Sequence, residues 1–243
     1  MKVLLLGGTG EARALAALLT ADAGVDVVSS LAGRVSDVNP PLGRVRVGGF
    51  GGVDGLADWL REEGVEAVVD ATHPFAATMT AHAAEAARLV GVRLLVLRRP
   101  GWVPGPGDDW HWADDLRHAA ELVPKLGKRP FLPVGRQGLD AFAGLGLPTL
   151  ARCVEPPEPL PRWCELILDR GPYTVAGERE LLGRHGIDVL VSKDSGGPMT
   201  GAKLTAAREL SIPVVMVSRP ALPPQVQTVE SVPDAVSWLR TVV

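Results

Sequence analysis

Short apolar runs alternate with longer segments of helical periodicity, and no other feature of the sequence constrains the fold so strongly. Val3–Leu6, Ala67–Ala71 and Val189–Ser192 are such runs, and Ala12, Leu15 and Leu19 mark the first helical segment. This alternation is typical of βαβ units, in which helices join parallel strands. The sequence therefore predicts an α/β protein built on parallel sheets.

The alternation has one clear interruption. Residues 99–109 are rich in proline and glycine, and a helical segment then leads to Gly127-Lys128-Arg129-Pro130, after which a new apolar run begins at Phe131. A chain of 243 residues can hold two small domains. We therefore predict two Rossmann-like parallel-sheet domains, residues 1–126 and residues 127–243.

Charge and composition exclude several classes of protein. The net charge of −3 does not favour nucleic-acid binding, and no apolar run approaches the ~20 residues of a membrane helix. The two cysteines and five histidines lack the spacing of a metal site. The short apolar N-terminus resembles a first strand more than a signal peptide, so we predict a cytoplasmic protein without membrane, nucleic-acid or metal partners.

A glycine-rich turn follows the first predicted strand and opens the first helix. It reads Gly7-Gly8-Thr9-Gly10-Glu11-Ala12-Arg13. Backbone amides and the helix dipole at such a turn attract phosphate. The turn departs from GxGxxG because Arg13 takes the third glycine position. Two interpretations stay open, a nucleotide-phosphate site that uses Gly7, Gly8, Thr9, Glu11 and Arg13, and a tight structural turn.

The end of the second predicted strand bears on which nicotinamide cofactor would fit. NAD-binding folds often carry an acidic residue there to hold the ribose hydroxyls, whereas this chain has Ser29 and Ser30 with Arg34 close behind. Hydroxyls and a guanidinium can bind a 2′-phosphate. The pattern favours NADP(H), and the alternative is that Arg34 is a solvated surface charge.

Two further strand ends in the first half would border the same cofactor, because ligands bind beyond the carboxyl ends of parallel strands. One carries Gly49 and Phe50, and the other reads Thr72-His73-Pro74-Phe75. We assign Gly49, Phe50, Thr72 and Pro74 to the cofactor, with Pro74 in a first helical turn. His73 is a candidate acid or substrate contact, and a structural hydrogen-bonded ring is the alternative.

Strand ends in the second half carry the elements of an anion site. Lys193-Asp194-Ser195-Gly196-Gly197 follows an apolar strand, and glycines there can turn amides toward an anion. Thr200 is placed to cap the next helix. We predict a pocket for a bulky anionic substrate, with Lys193 catalytic and with contacts from Arg136, Gln137, Tyr173, Ser195, Gly196, Gly197, Thr200 and Lys203. Solvated lysines around an ordinary turn are the alternative.

Taken together, the motifs of the chain resemble those of the precorrin-6A reductase family. The resemblance rests on Gly7-Gly8-Thr9-Gly10-Glu11-Ala12-Arg13, Asp70-Ala71-Thr72-His73-Pro74-Phe75-Ala76, Gly135-Arg136-Gln137, Arg170-Gly171-Pro172-Tyr173 and Lys193-Asp194-Ser195-Gly196-Gly197 with Thr200 and Lys203. These motifs occur in the family's order and span nearly the whole chain.

That resemblance implies a specific reaction. Two Rossmann-like domains that exchange a strand would hold NADPH and a tetrapyrrole between them, and precorrin-6A would be reduced to precorrin-6B in cobalamin biosynthesis. The substrate's many carboxylates would explain why Arg136, Lys193 and Lys203 gather in one half. Neither metal nor flavin is implied, and the product would pass to other corrin-pathway enzymes.

Two other functions remain as alternatives. The chain could reduce cobalt-precorrin-6A with NADH, although Arg34 without an acidic partner argues against NADH. It could also be a non-catalytic NADP(H) sensor, because Rossmann-like domains serve many functions. A sensor needs no tetrapyrrole pocket, so the segment from Lys193 to Lys203 discriminates between these functions.

Overall fold

A computed structural model describes residues 1–33 and 40–242. The chain divides into two compact units, one formed by Met1–Pro100 with Pro220–Val243 and the other by Gly101–Arg219. This division differs from the predicted boundary after residue 126, because residues 101–126 belong to the second unit and the C-terminal segment belongs to the first. None of the helices within the described ranges is both long and apolar enough to cross a membrane.

The regular elements follow the predicted alternation. In chain order they are β1 (Lys2–Leu6), α1 (Gly10–Thr20), β2 (Asp26–Leu31), β3 (Arg44–Val47), α2 (Gly52–Glu62), β4 (Ala67–Asp70), α3 (Ala77–Val90), β5 (Arg93–Leu97), β6 (Trp110–Ala113), α4 (Leu116–Leu126), β7 (Pro130–Leu132), a 3-10 helix (Arg136–Phe142), β8 (Thr149–Cys153), β9 (Cys164–Leu168), α5 (Val175–Arg184), β10 (Val189–Lys193), α6 (Ala202–Glu209), β11 (Val214–Val217), β12 (Gln227–Val229) and α7 (Val232–Val242).

The first unit is a parallel sheet in the order β3-β2-β1-β4-β5-β12. Leu4 of β1 lies between Val28 of β2 and Val68 of β4, and all three side chains are buried. Apolar residues of α1 and α7 cover one face of the sheet, and those of α2 and α3 cover the other. This is the strand order of doubly wound folds, whose ligands bind where the order reverses, here between β1 and β4.

The second unit repeats that order as β9-β8-β7-β10-β11-β6, and its strands are also parallel. Helices α5 and α6 pack on one face through Leu182, Leu204 and Ala206, and α4 packs against β10 and β11. The order reverses between β7 and β10. Each unit therefore has one edge of the sheet where a ligand of its own would be expected.

The sixth strand of each sheet lies outside the predicted half of the chain that supplies the other five strands. Strand β6 precedes the rest of the second sheet and pairs with β11, with Trp112 beside Met216. Strand β12 follows the second unit in sequence and pairs with β5 in the first sheet, with Thr228 beside Val96. The two sheets thus have the strand exchange that the resemblance implied.

A buried ion pair joins β8 to α5 in the second unit. The guanidinium of Arg152 donates to both carboxylate oxygens of Glu178, at 2.6 and 3.2 Å, and the two side chains are 5% and 2% exposed. The rings of Phe131 and Tyr173 lie 5.1 and 3.7 Å from the guanidinium carbon. Because each charge has lost its water, each depends on the other for compensation.

We predict that Glu178→Gln lowers the free energy of unfolding by about 3–5 kcal/mol, because it leaves Arg152 buried without a counter-charge. Glu180→Gln is the matched control on the same helix, since Glu180 pairs with Arg184 at the surface, and it should cost less than about 1 kcal/mol. Urea unfolding followed by circular dichroism measures both values. Equal losses of unfolding free energy in the two variants would show that the buried pair contributes no more to stability than the exposed one.

Candidate functional site

The turn between β1 and α1 leaves open space at the edge of the first sheet. The Gly7 amide donates to the Ser30 carbonyl at 2.9 Å, which fixes the start of the turn. Gly8 is exposed with a φ of 115°, and no atom would lie within 4 Å of a Cβ placed there. Only glycine adopts this backbone readily. The open space lies at the N-terminus of α1, where an anion is favoured.

The hydroxyl of Thr9 ties this turn to the neighbouring strand. It accepts from the Ala12 amide at 3.1 Å, which caps α1, and it donates to the Ala71 carbonyl at 2.8 Å. The turn after β1 and the segment after β4 are therefore held together where the strand order reverses. Because the Thr9 hydroxyl both donates and accepts within the protein, its side chain fixes the turn in place.

The charged residues of the first helical turn differ in their surroundings. Glu11 pairs with Arg99, whose Nη1 lies 2.7 Å from its carboxylate, and both side chains are largely buried. The pair offsets a negative charge that would otherwise repel a phosphate at the N-terminus of α1. Arg13 is exposed.

The two serines at the end of β2 have different environments. Ser29 is buried, and its hydroxyl has no partner among the described residues. Ser30 accepts a hydrogen bond at 3.0 Å from Arg46, a β3 residue that the sequence analysis missed. The alternation of β3 marks Arg46 as a polar position, but only the pairing of β2 with β3 places it beside Ser30. Arg34 lies outside the described residues.

The glycine-rich segment after β3 carries an aromatic contact. Phe50 packs edge-on against Trp59, with ring centroids 5.5 Å apart, and the guanidinium carbon of Arg46 lies 3.7 Å from the Phe50 centroid. Gly49 is exposed, and a Cβ placed on it would meet nothing within 4 Å. Gly49 and Phe50 thus border open space near Ser30.

A buried carboxylate organises the segment after β4. Asp70 accepts from the Thr72 amide at 3.0 Å, from the Thr72 hydroxyl at 2.7 Å and from the Thr80 hydroxyl at 2.6 Å. Asp70 was part of the sequence motif but received no role in the sequence analysis. It links the turn to α3 and fixes Thr72 in place.

The prediction that Pro74 lies in a first helical turn is wrong, because α3 begins at Ala77. Residues 72–76 form a separate turn in which the Ala76 amide donates to the His73 carbonyl at 2.7 Å. His73 is exposed, and its Nδ1 accepts from the Phe75 amide at 3.2 Å. The contact orients the ring and leaves Nε2 on the side away from that amide.

In the second unit Lys193 spans the point where the strand order reverses. It ends β10, and its Nζ donates at 2.6 Å to the Val134 carbonyl, which follows β7. Burial lowers the pKa of Lys193. Arg136, on the 3-10 helix, pairs with Glu155 at 3.4 Å. Burial raises the pKa of the Cys153 thiol, and the positive charges of Arg136 and Lys193 oppose that shift. The neighbouring Gln137 is exposed.

The loop after β10 has the glycine conformations expected of an anion-binding turn. Gly196 and Gly197 have φ values of 64° and 75°, and Ser195 turns back so that its amide donates to the Lys193 carbonyl. The prediction that Thr200 caps the next helix is wrong, since Gly201 is the N-cap of α6 and no side chain caps it. The Thr200 carbonyl accepts instead from Lys203.

Lys203 is buried beneath this loop. Its Nζ donates to the Thr200 carbonyl at 2.8 Å and lies 4.9 Å from the centroid of the Trp102 ring. Burial lowers the pKa of Lys203 from 10.5 to about 7, although the nearby Glu178 opposes the shift. Burial thus makes the neutral amine of Lys203 far more accessible than that of an exposed lysine.

Asp194 holds the same loop from the other side, and the sequence analysis gave it no role. Its carboxylate accepts from the Trp102 amide at 2.9 Å and pairs with Arg219 at 3.0 Å. The Trp102 indole N–H donates to the Gly197 carbonyl at 3.0 Å. The first and last segments of the second unit, next to Gly101 and Arg219, are thus both fastened to the loop after β10.

Tyr173 packs against the buried ion pair of Arg152 and Glu178. Its ring stacks on Arg152, and its hydroxyl donates to the Asp169 carbonyl at 3.0 Å. Burial raises the pKa of Tyr173. The predicted substrate residues therefore form two groups, with Arg136 and Lys193 around Cys153, and Tyr173 and Lys203 around Arg152 and Glu178.

Comparisons with known proteins find relatives that align with 90% or more of the chain. Residues 2–240 match the sequence model of the family described as Precorrin-6x reductase CbiJ/CobK. A precorrin-6A reductase from Rhodococcus erythropolis is 57% identical over 99% of this chain and 98% of its own length. A solved structure of CobK precorrin-6A reductase superposes with a TM-score of 0.92 at 42% identity, covering 100% of this chain and 97% of that one. A cobalt-precorrin-6A reductase from Priestia megaterium is 28% identical over 90% of this chain and 91% of its own.

The lowered pKa of Lys203 predicts a pH-dependent stability. Between the folded pKa of about 7 and the ordinary value of 10.5 the unfolded chain binds the extra proton, so stability should rise with pH through this window and be lowest below it. Lys203→Met should flatten the rise, as measured by thermal unfolding from pH 6.5 to 10. Lys128→Met, at an exposed lysine, is the control. If stability rises with pH as steeply in Lys203→Met as in wild type, the pKa of Lys203 is not lowered in the folded protein.

Proposed function

Because this chain belongs to the precorrin-6x reductase family, we propose that it reduces precorrin-6A in cobalamin biosynthesis and that it uses NADPH. The observation that carries the proposal is the pair of loops at the two reversal points, an open glycine turn in one unit and a lysine-bearing glycine loop in the other. NADPH would supply a hydride, and the chain's own residues would bind, orient and polarise the reactants.

The first unit has features that fit a dinucleotide. Open space beside Gly8 can admit a pyrophosphate at the N-terminus of α1, and Arg99 offsets the nearby charge of Glu11. Thr9 and Asp70 keep the two loops in fixed positions, so little order would have to be gained on binding. We assign the remaining cofactor contacts to Ser30, Gly49, Phe50, Thr72 and Pro74, and His73 is the candidate acid.

The second unit has features that fit a polycarboxylate. Arg136 and Lys193 place two cationic groups beside the reversal point, and the amides of Gly196 and Gly197 add donors without a side chain in the way. Partial desolvation of Lys193 strengthens its interaction with any charge that develops nearby. We assign Lys193 to catalysis and assign Gln137, Ser195 and Thr200 to the same loop-bordered site. Lys203 and Tyr173 would support it from below.

The alternatives differ from this proposal at named positions. Use of NADH would be favoured by a carboxylate at the end of β2, where the described residues are Ser29 and Ser30. A non-catalytic sensor would not need Lys193 beside the substrate loop. We also propose that the protein is cytoplasmic and that its product passes to other corrin-pathway enzymes.

Anaerobic incubation of the purified protein with precorrin-6A and NADPH tests the function directly. The spectrum of the macrocycle should change as NADPH absorbance falls, with one NADPH oxidised for each macrocycle reduced. Cobalt-precorrin-6A with NADH is the parallel reaction. Turnover of only the cobalt substrate would establish the first alternative, and cofactor binding without turnover of either substrate would establish the sensor.

We predict that Gly8→Ala weakens NADPH binding at least about tenfold, because a methyl group would occupy the space beside the N-terminus of α1. Gly64→Ala is the matched control, since Gly64 also has a positive φ, of 61°, and open surroundings but lies before β4. Both variants should lose about 1–2 kcal/mol of stability to backbone strain. Titration by nicotinamide fluorescence measures NADPH binding. Equal NADPH affinities in Gly8→Ala and Gly64→Ala would show that the turn after β1 has only a structural role.

We predict that Lys193→Ala slows single-turnover reduction about 100-fold under saturating NADPH, if the ammonium stabilises charge in the transition state. If Lys193 only holds a carboxylate, KM should rise with kcat little changed. NADPH affinity should stay normal in either case. Lys128→Ala, an exposed lysine just before β7, is the control. A wild-type rate and KM in Lys193→Ala would place the substrate site elsewhere.

A further inference from the structure

We infer that Arg46 is the residue that distinguishes NADPH from NADH, by binding the 2′-phosphate together with Ser30. The inference rests on the proposed function, because it assumes that the first unit binds a nicotinamide dinucleotide. Arg34 had this role in the sequence analysis. Arg46 comes from the next strand and is the guanidinium that the structure places on Ser30.

The hydrogen bonds of Arg46 leave it with an unbalanced charge. Nη1 donates to the Ser30 hydroxyl and to the Gly48 carbonyl, and Nη2 donates to the Gly49 carbonyl, each at 3.0 Å. All three acceptors are neutral, and no carboxylate in the described part of the chain pairs with Arg46. Burial lowers its pKa, so the guanidinium is partly desolvated without a counter-ion. Such a group favours an anionic ligand.

Arg44 on the same strand shows the contrast. It lies two residues earlier and therefore on the same face, where it is more than half exposed and faces Asp26 and Glu63, each at 3.6 Å. Its charge is already balanced by carboxylates. Of the two arginines of β3, Arg46 is thus the one whose charge is left for a ligand.

The geometry of Arg46 suits a phosphate monoester. A guanidinium has five N–H donors, and three are used here, so the Nε–H and one Nη2–H have no partner among the described residues. Nε and Nη2 form one edge of the group, which can present two parallel donors to phosphate oxygens. Stacking on Phe50 at 3.7 Å fixes the plane of that edge.

The position agrees with the fold. Ser30 lies near the carboxyl end of β2 and Arg46 near that of β3, the place where doubly wound folds hold the adenosine ribose. The Ser30 hydroxyl accepts from Arg46, so its own hydrogen can be donated to the same phosphate. The exposed Gly49 leaves room beside this pair.

Binding of four probes to purified wild type, Arg46→Ala, Arg46→Lys, Arg34→Ala and Arg44→Ala tests the inference. The probes are NADPH, NADH, adenosine 2′,5′-bisphosphate and 5′-AMP, measured by calorimetry. Arg46→Ala should bind NADPH and the bisphosphate about 10- to 100-fold more weakly, with NADH and 5′-AMP changed less than about threefold. Arg46→Lys should recover part of the loss, and Arg44→Ala should match wild type.

Several results would overturn the inference. Loss of the NADPH preference in Arg34→Ala but not in Arg46→Ala would assign the phosphate to Arg34. If Arg46→Ala weakens the binding of NADPH and NADH equally, Arg46 stabilises the segment after β3 and does not recognise the 2′-phosphate. Wild type that binds 5′-AMP as tightly as the bisphosphate would show that the 2′-phosphate is not recognised. If wild type binds neither dinucleotide, the proposed cofactor itself fails, and that result is distinct from the others.

Discussion

The requirement that parallel strands be joined by crossover helices determines where chemistry can occur in this protein. It places the carboxyl ends of all strands of a sheet at one edge, and it forces adjacent connections to diverge where the strand order reverses. Both six-stranded sheets have the same order, so this edge occurs twice. The glycine turn after β1 lies at one reversal point, and Lys193 spans the other. Most of the candidate site residues follow from this constraint.

Polar side chains that face the protein hold these edges in place. Thr9 joins the turn after β1 to the end of β4, and Asp70 holds the turn after β4 to α3. Asp194 does the same for the loop after β10 by accepting from Trp102 and Arg219. Each is a buried group whose hydrogen bonds must be made within the protein. The motifs therefore combine residues that could face a ligand with residues that fix the loops, and sequence alone does not separate the two.

The fold class and most elements could be predicted because buried parallel strands read as apolar runs. Strand β8 was missed because Arg152 interrupts its apolar character, and only its buried partner Glu178 makes that charge tolerable. Strands β6 and β12 were missed because their places depend on pairings with β11 and β5 that are remote in sequence. Arg46 was missed for the same reason, since only the β2–β3 register brings it to Ser30.

The exchange of β6 and β12 affects how the chain can fold as it is synthesised. The second unit is one continuous segment, Gly101–Arg219, whereas the first unit needs both Met1–Pro100 and Pro220–Val243. A ribosome releases the N-terminal part first, but its sheet cannot gain β12 until the whole second unit has emerged. Strand β5 therefore remains an open edge until Gln227–Val229 has emerged and can pair with it.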